Sequence, residues 1–300
     1  MAHSRDTLTS RKLPNMTFSH SSNPLTAPVL LDPSLPPPIR AARRFSVEGQ
    51  YAVVTGGAGG LGLEAVRALL EHGLSGVCIF DLNPSIASSE TVINALREEF
   101  PASKVLVLVV DVADEQVVES AVEQTGQEFG SIDILLCFAG VVGCTHAAEM
   151  TSSEWKRVLD INTTGSWFCA QAVGRKMIQQ GKGGSIVFTA SISAHRVNYP
   201  QPQVAYNVSK GAILQLKSSL AAEWARHGIR VNSISPGYMD TILNRGDGLE
   251  STRNIWLARN PMGRMGDPSE LVGVVILLCS PAGKYINGAD IVVDGGGSVL

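Results

Sequence analysis

The chain has 300 residues, with 24 Lys and Arg against 27 Asp and Glu and a formal net charge of −3, so it has no basic field for nucleic acid. Hydrophobic residues make up 44% of it, enough to fill a substantial core, but its apolar runs (105–110, 271–279) fall far short of the ~20 residues of a membrane span. The five cysteines are scattered and form no C-x-x-C pair, which points to free thiols in a reducing compartment, and no histidines have ligand spacing, so no metal is expected.

Residues 1–43 are rich in Ser, Thr and Pro and end in Leu35-Pro36-Pro37-Pro38-Ile39-Arg40. Such a stretch buries too little surface to offset its ordering entropy. It is expected to be a disordered or loosely packed extension ahead of a single domain over 44–300. Its start lacks the apolar centre of a secretory signal, and the expected location is cytoplasmic.

The apolar run Tyr51–Val54 reads as a buried strand. It leads into Thr55-Gly56-Gly57-Ala58-Gly59-Gly60-Leu61-Gly62, and a helical pattern follows from Leu63. Strand, glycine turn and helix together place a pyrophosphate at a helix N-terminus. Glycine allows the close backbone approach that a Cβ would block. A second strand, Val77–Phe80, ends at Asp81, nineteen residues after Gly62. A carboxylate there can accept hydrogen bonds from both ribose hydroxyls of adenosine and repels a 2′-phosphate. No Arg or Lys follows closely, so the reading is NAD(H), with NADP(H) less favoured.

Strand-like and helix-like segments then alternate. Strands are predicted at 51–55, 76–81, 104–110, 133–137, 184–189, 229–234 and 290–293. Helices are predicted at 61–73, 84–98, 114–128, 151–180, 204–227 and 268–279. This alternation predicts an α/β fold, a Rossmann-type doubly wound parallel sheet with helices on both faces. A ligand then binds beyond the carboxyl ends of the strands.

Tyr206 and Lys210 open the fifth predicted helix four residues apart and so share a face. A free tyrosine has a pKa of roughly 10. A neighbouring ammonium favours the phenolate, and the expectation is a lowered Tyr206 pKa suited to acid–base work.

In order along the chain come the glycine motif, Asp81, Asp111-Val112, Ala139-Gly140, Asn162, Ser191, Tyr206, Lys210, Pro236-Gly237 and Thr241. This series resembles the short-chain dehydrogenase/reductase family over about residues 45–300. The resemblance implies a catalytic set of Asn162, Ser191, Tyr206 and Lys210. It implies that Thr55, Gly56, Gly60, Leu61 and Gly62 hold the dinucleotide phosphates, Asp111 caps the adenine amino group and Val112 lines its ring. Asn162 would hold a water that relays protons to Lys210, Ser191 would bond the substrate oxygen, and Tyr206 would transfer the proton. Lys210 would also hold the nicotinamide ribose, and Pro236, Gly237 and Thr241 would seat the carboxamide. One departure is Cys137-Phe138-Ala139-Gly140, where the family has Asn-Asn-Ala-Gly. It puts the bracing of the strand end and the cofactor ribose in question and predicts altered cofactor affinity.

The stretches 188–210 (with Val197-Asn198-Tyr199-Pro200-Gln201), 230–241 and 261–266 resemble the fungal polyol dehydrogenases and ketose reductases within that family. The resemblance implies a small polyol or ketose as substrate, D-arabinitol/ribulose being the pair favoured by Asp81. A ketoreductase acting on a bulkier ketone is the alternative, and a non-catalytic dinucleotide sensor is the remote one. The resemblance also implies a homodimer or homotetramer built through the 204–227 helix, whose residues Val208, Ala212, Leu216, Leu220 and Trp224 form an apolar stripe. His195 reads either as a substrate hydrogen-bond partner or as a solvated loop residue. Cys144 falls near the mouth of the site as a packing residue. The stretch 242–259, with Gly246 and Gly248, reads as a mobile flap.

Overall fold

The computed structural model describes residues 13–244 and 247–299. Seven strands form one sheet: β1 (Tyr51–Thr55), β2 (Gly76–Asp81), β3 (Lys104–Val109), β4 (Ile134–Cys137), β5 (Gly184–Thr189), β6 (Ile229–Pro236) and β7 (Asp290–Val293). Their order is β3-β2-β1-β4-β5-β6-β7, and every pairing is parallel. The winding reverses between β1 and β4, which opens a crevice at the carboxyl ends of those two strands.

The period-two alternation of each strand divides the core into two layers. Val53, Cys78, Phe80, Leu135, Ile186, Phe188 and Val231 face one side. There they meet α4 (Glu115–Phe129), α6 (Ser166–Gln180) and α7 (Val204–Trp224). Ala52, Val54, Val77, Ile79, Ile134, Leu136, Val187 and Ile234 face the other side, covered by α2 (Gly60–Glu71), α3 (Asn83–Glu99) and α9 (Val272–Cys279). Fully buried side chains such as Phe188 and Leu135 each stabilise the fold by about 1.5–3 kcal/mol.

The helix predicted at 151–180 is three pieces: α5 (Ser152–Leu159), a π-turn over Asp160–Gly165, and α6. Two further helices escape the sequence pattern, α1 (Pro37–Arg44) and α8 (Glu250–Ala258). Of the segment read as a flap, Gly246 lies outside the described residues. The rest forms short 3-10 turns at Ile242–Asn244 and Asp247–Leu249, followed by α8. Buried Trp256 and the Arg253 bonds to Asp240 (3.3 Å) and the Asn244 carbonyl (2.7 Å) hold α8 in place.

Residues 13–36 are mostly exposed, but one short turn docks at the end of the sheet away from the crevice. The Asn23 amide caps Pro24–Thr26 through Leu25 N (3.0 Å) and donates to the Arg226 carbonyl (2.8 Å). Lys284 Nζ donates to the Leu25 carbonyl at 2.9 Å. Gly228, at φ 71°, leaves room for Leu25, whose Cβ lies 2.6 Å from where a Gly228 Cβ would stand.

The apolar stripe expected on α7 is divided. Leu220 is buried, and Leu216 and Trp224 pack on the core, Trp224 filling the space above Gly174. Val208 alone of the five is largely exposed, at 45%.

Candidate active site

A cavity of about 470 Å³ opens at the carboxyl ends of the strands. Residues from the far ends of the sequence line it, among them Leu61, Gly140, Ser191, Tyr206, Pro236, Gly237 and Thr241. The fold thus brings seven of the predicted site residues to one cavity.

The glycine turn is built by close backbone contact. Gly56 has φ 64°, and a Cβ there would stand 2.6 Å from Ala139 N. A Cβ on Gly62 would stand 2.2 Å from the Gly56 carbonyl oxygen. Gly60 differs: its Cβ would meet nothing nearer than Thr241 Cγ2 at 3.8 Å. Space is therefore kept between the glycine turn and Thr241. No side chain caps α2, so its first-turn N–H groups are open to an anion. Asp81 accepts from Ala58 N (3.0 Å) and Leu82 N (2.8 Å), which fixes its carboxylate beside the glycine turn. Asp111 caps a turn through Ala113 N at 3.0 Å, and Val112 is buried against Gly165. An anion-ready helix end, a kept space and a carboxylate at the end of β2 fit a dinucleotide.

The departure at Cys137-Phe138 has a local explanation. The Thr55 carbonyl accepts from Phe138 N (2.9 Å) and its hydroxyl from Ala139 N (3.3 Å). The strand end is thus braced by Thr55, without amide side chains. Cys137 is buried among apolar neighbours, with its thiol pushed well above the usual range, and Phe138 packs on the core.

Asn162 sits in the π-turn, wholly buried. Its side chain accepts from Val141 N (2.8 Å) and donates to the Val141 carbonyl (2.9 Å) and Ser209 Oγ (3.0 Å). It thereby clamps the loop after β4 to α7. The π-turn widens the helix where Gly165 meets Val112, whose Cγ2 would stand 2.8 Å from a Cβ on Gly165.

Ser191 ends the strand region of β5 and caps the turn Ile192–Ala194, accepting from Ser193 N at 3.1 Å and donating to Ser193 Oγ at 3.0 Å. Lys210 is buried, its Nζ donating to the Thr189 carbonyl at 2.7 Å and lying 5.7 Å from the centre of the Tyr206 ring. Burial draws its pKa down to about 8. The expected lowering of the Tyr206 pKa is not met in this structure: burial pushes the phenol up, the Ser191 hydroxyl bond opposes this, and Tyr238 adds to it. The ammonium lies 5.7 Å from the ring centre and donates to the Thr189 carbonyl, and desolvation of the buried phenol sets the direction of the shift.

His195 is an exposed turn residue, the second of the two roles weighed for it, but one held by bonds. Its Nε2 pairs with Asp290 (2.8 Å) and lies 3.3 Å from Ser235 Oγ, which ties the turn after Ser191 to β6 and β7. Cys144 is exposed and lines the cavity, its sulfur accepting from Gln203 at 3.2 Å.

Asn198, Gln201, Tyr238, Asn244 and Trp256 line the same cavity, and sequence reasoning named none of them individually as a site residue. Tyr238 and Trp256 stack at 4.0 Å with their planes 10° apart. The Val197–Gln201 stretch was visible in the sequence, but its pairing with α8 was not.

Residues 56–298 match the family described as enoyl-(acyl carrier protein) reductase. The chain is 40% identical over 269 residues to an NADP-dependent mannitol dehydrogenase of Hypocrea jecorina, covering 87% of this chain and 98% of that one. It is 34% identical over 265 residues to a ribulose-forming D-arabinitol 2-dehydrogenase of Candida tropicalis, covering 84% and 93%. A solved short-chain type dehydrogenase/reductase from Mycobacterium marinum superposes with a TM-score of 0.78 at 35% identity, covering 86% of this chain and 98% of that one.

Proposed function

This chain belongs to the short-chain dehydrogenase/reductase family and is an oxidoreductase, and on that premise we propose that it moves a hydride between NAD(H) and a polyol/ketose pair. The observation that carries the reading is one cavity lined both by Ser191 and Tyr206 and by Asn198, Gln201 and Gln203. Amide side chains both donate and accept, and so suit a substrate bearing many hydroxyls.

When bound, the nicotinamide ring accepts or gives the hydride at its C4. The chain supplies the proton chemistry and the positioning. Ser191 Oγ donates to the substrate oxygen. Tyr206 Oη takes the carbinol proton during oxidation and returns it during reduction. Lys210 stabilises the phenolate that forms. Asn162 holds the loop at Val141 against α7, keeping the reacting groups in register. Thr55, Gly56, Gly60 and Gly62 seat the pyrophosphate, and Pro236, Gly237 and Thr241 seat the carboxamide.

For the cofactor, the fixed Asp81 carboxylate favours free ribose hydroxyls over a 2′-phosphate. The Hypocrea jecorina relative is named for NADP, which makes cofactor choice the sharpest point to test. Absorbance at the reduced-nicotinamide band, with a panel of pentitols and hexitols and each cofactor, tests both halves. Turnover of a pentitol with NAD⁺ ahead of NADP⁺ is the expected result. A preference for the phosphorylated cofactor overturns the Asp81 reading, and turnover of bulky ketones alone overturns the polyol reading.

A further inference from the structure

Trp256 Nε1 is only a donor, and it lies 3.2 Å from Gln201 Oε1. This fixes the Gln201 amide with its carbonyl toward the indole. Its Nε2 therefore faces Tyr238, donating to the phenol oxygen at 3.1 Å. Asn198 Nδ2 donates to the same oxygen at 3.2 Å. Two N–H groups thus occupy the acceptor side of Tyr238 Oη, and its own proton is left for a third partner. The stack on Trp256 fixes the plane of the ring. Asn198 Oδ1 is buried beside it with no hydrogen-bond partner. Asn198, Gln201, Tyr238 and Trp256 all line the cavity that holds Ser191 and Tyr206. Tyr238 is also near enough to disfavour a charge on Tyr206.

We infer that Tyr238 is a specificity-determining residue whose hydroxyl donates to a substrate oxygen beside the reacting carbon, so that the site selects a secondary alcohol flanked by a further hydroxyl. The inference rests on the polyol reading and narrows it. A pre-oriented donor loses little entropy on binding, whereas a substrate without the second oxygen leaves a polar group unanswered. Gln201 acts through Tyr238 as a positioning residue: its amide holds the phenol and the indole together.

Tyr238→Phe keeps the stacked ring and removes only the proton donor. Steady-state kinetics with a pentitol, the dissociation constant of the reduced dinucleotide and the thermal midpoint are measured on wild type, Tyr238→Phe and Gln201→Leu. The loss of one neutral hydrogen bond is expected to raise KM about tenfold in Tyr238→Phe, with kcat, dinucleotide binding and the thermal midpoint moving far less. Gln201→Leu is expected to shift KM in the same direction. If wild type turns over pentitols and KM of Tyr238→Phe is unmoved, this inference falls alone. It also falls alone if kcat, dinucleotide affinity and the thermal midpoint all drop as KM rises, since that marks a structural residue. If wild type turns over no pentitol or hexitol with either cofactor, the polyol reading falls and takes this one with it.

Discussion

Lys210 is a buried ammonium on the inner face of α7, with one carbonyl partner at 2.7 Å and a pKa drawn down to about 8. It stays mostly charged at neutral pH, so the charge is kept at a cost in stability. In the unfolded chain the same group titrates near 10.5. Between those values the unfolded chain binds more protons, so this contribution stabilises the fold as pH rises and is lost as pH falls through 8. Lys210→Met removes the dependence. The unfolding free energy of the variant minus that of wild type should fall by on the order of 2 kcal/mol between pH 7 and pH 10, read from denaturant melts at both pH values. Turnover of the variant should drop at least ~10²-fold. Tyr206, held above its ordinary value by burial, gives a second test. Oxidation needs the phenolate and reduction needs the phenol. The oxidation rate should therefore climb through the alkaline range while the reduction rate declines. Tyr206→Phe should lose nearly all turnover in both directions yet still quench on binding the reduced dinucleotide. Unchanged turnover in that variant sinks the assignment.

Segments whose shape follows from their own pattern were read well, and those shaped by a neighbour were not. All seven strands lie where alternation and apolar runs put them, because strand register and burial leave a period-two record in the residues themselves. The π-turn left no such record. Asp160 to Gly165 (Asp-Ile-Asn-Thr-Thr-Gly) is a run of weak helix formers, but that composition does not specify a π-turn, which lies where Gly165 meets Val112 of a distant loop. Likewise α8 has little to mark it, since its order comes from Trp256 resting on Tyr238 and bonded to Gln201. The Tyr206 and Lys210 spacing was legible, but the balance between burial and ammonium was not, because it depends on how deeply the fold covers the pair. The π-turn supports a prediction of its own. Gly165→Ala would set a Cβ 2.8 Å from Val112 Cγ2 and 2.9 Å from the Val112 carbonyl oxygen. The turn must shift, and Asn162 shifts with it. A destabilisation of about 1–3 kcal/mol is expected, together with weaker dinucleotide binding by titration. A variant as stable as wild type would mean that the turn is free to relax without its glycine.

At the scale of the whole molecule, α7 links the site to the outer surface. Its inner face carries Ser209, Lys210, Ile213 and Lys217, all buried, while Val204 and Val208 are 37% and 45% exposed on the outer one. Gly211 faces open space, with nothing within 4 Å of its Cβ position. The self-association implied by the family resemblance is carried forward as a proposal on this outer face: small and apolar side chains let two copies of a helix approach closely. Light scattering coupled to size exclusion should give a dimer or tetramer at micromolar concentration. Val208→Glu combined with Gly211→Arg places two charges on the contact and should shift the protein toward monomer. Because Lys210 adjoins Gly211 on the same helix, loosening the contact should also lower turnover and make it rise with protein concentration. A wild-type monomer, or a double variant with unaltered mass and unaltered concentration dependence, would remove α7 from any role in assembly and leave Lys210 held by the fold of a single chain.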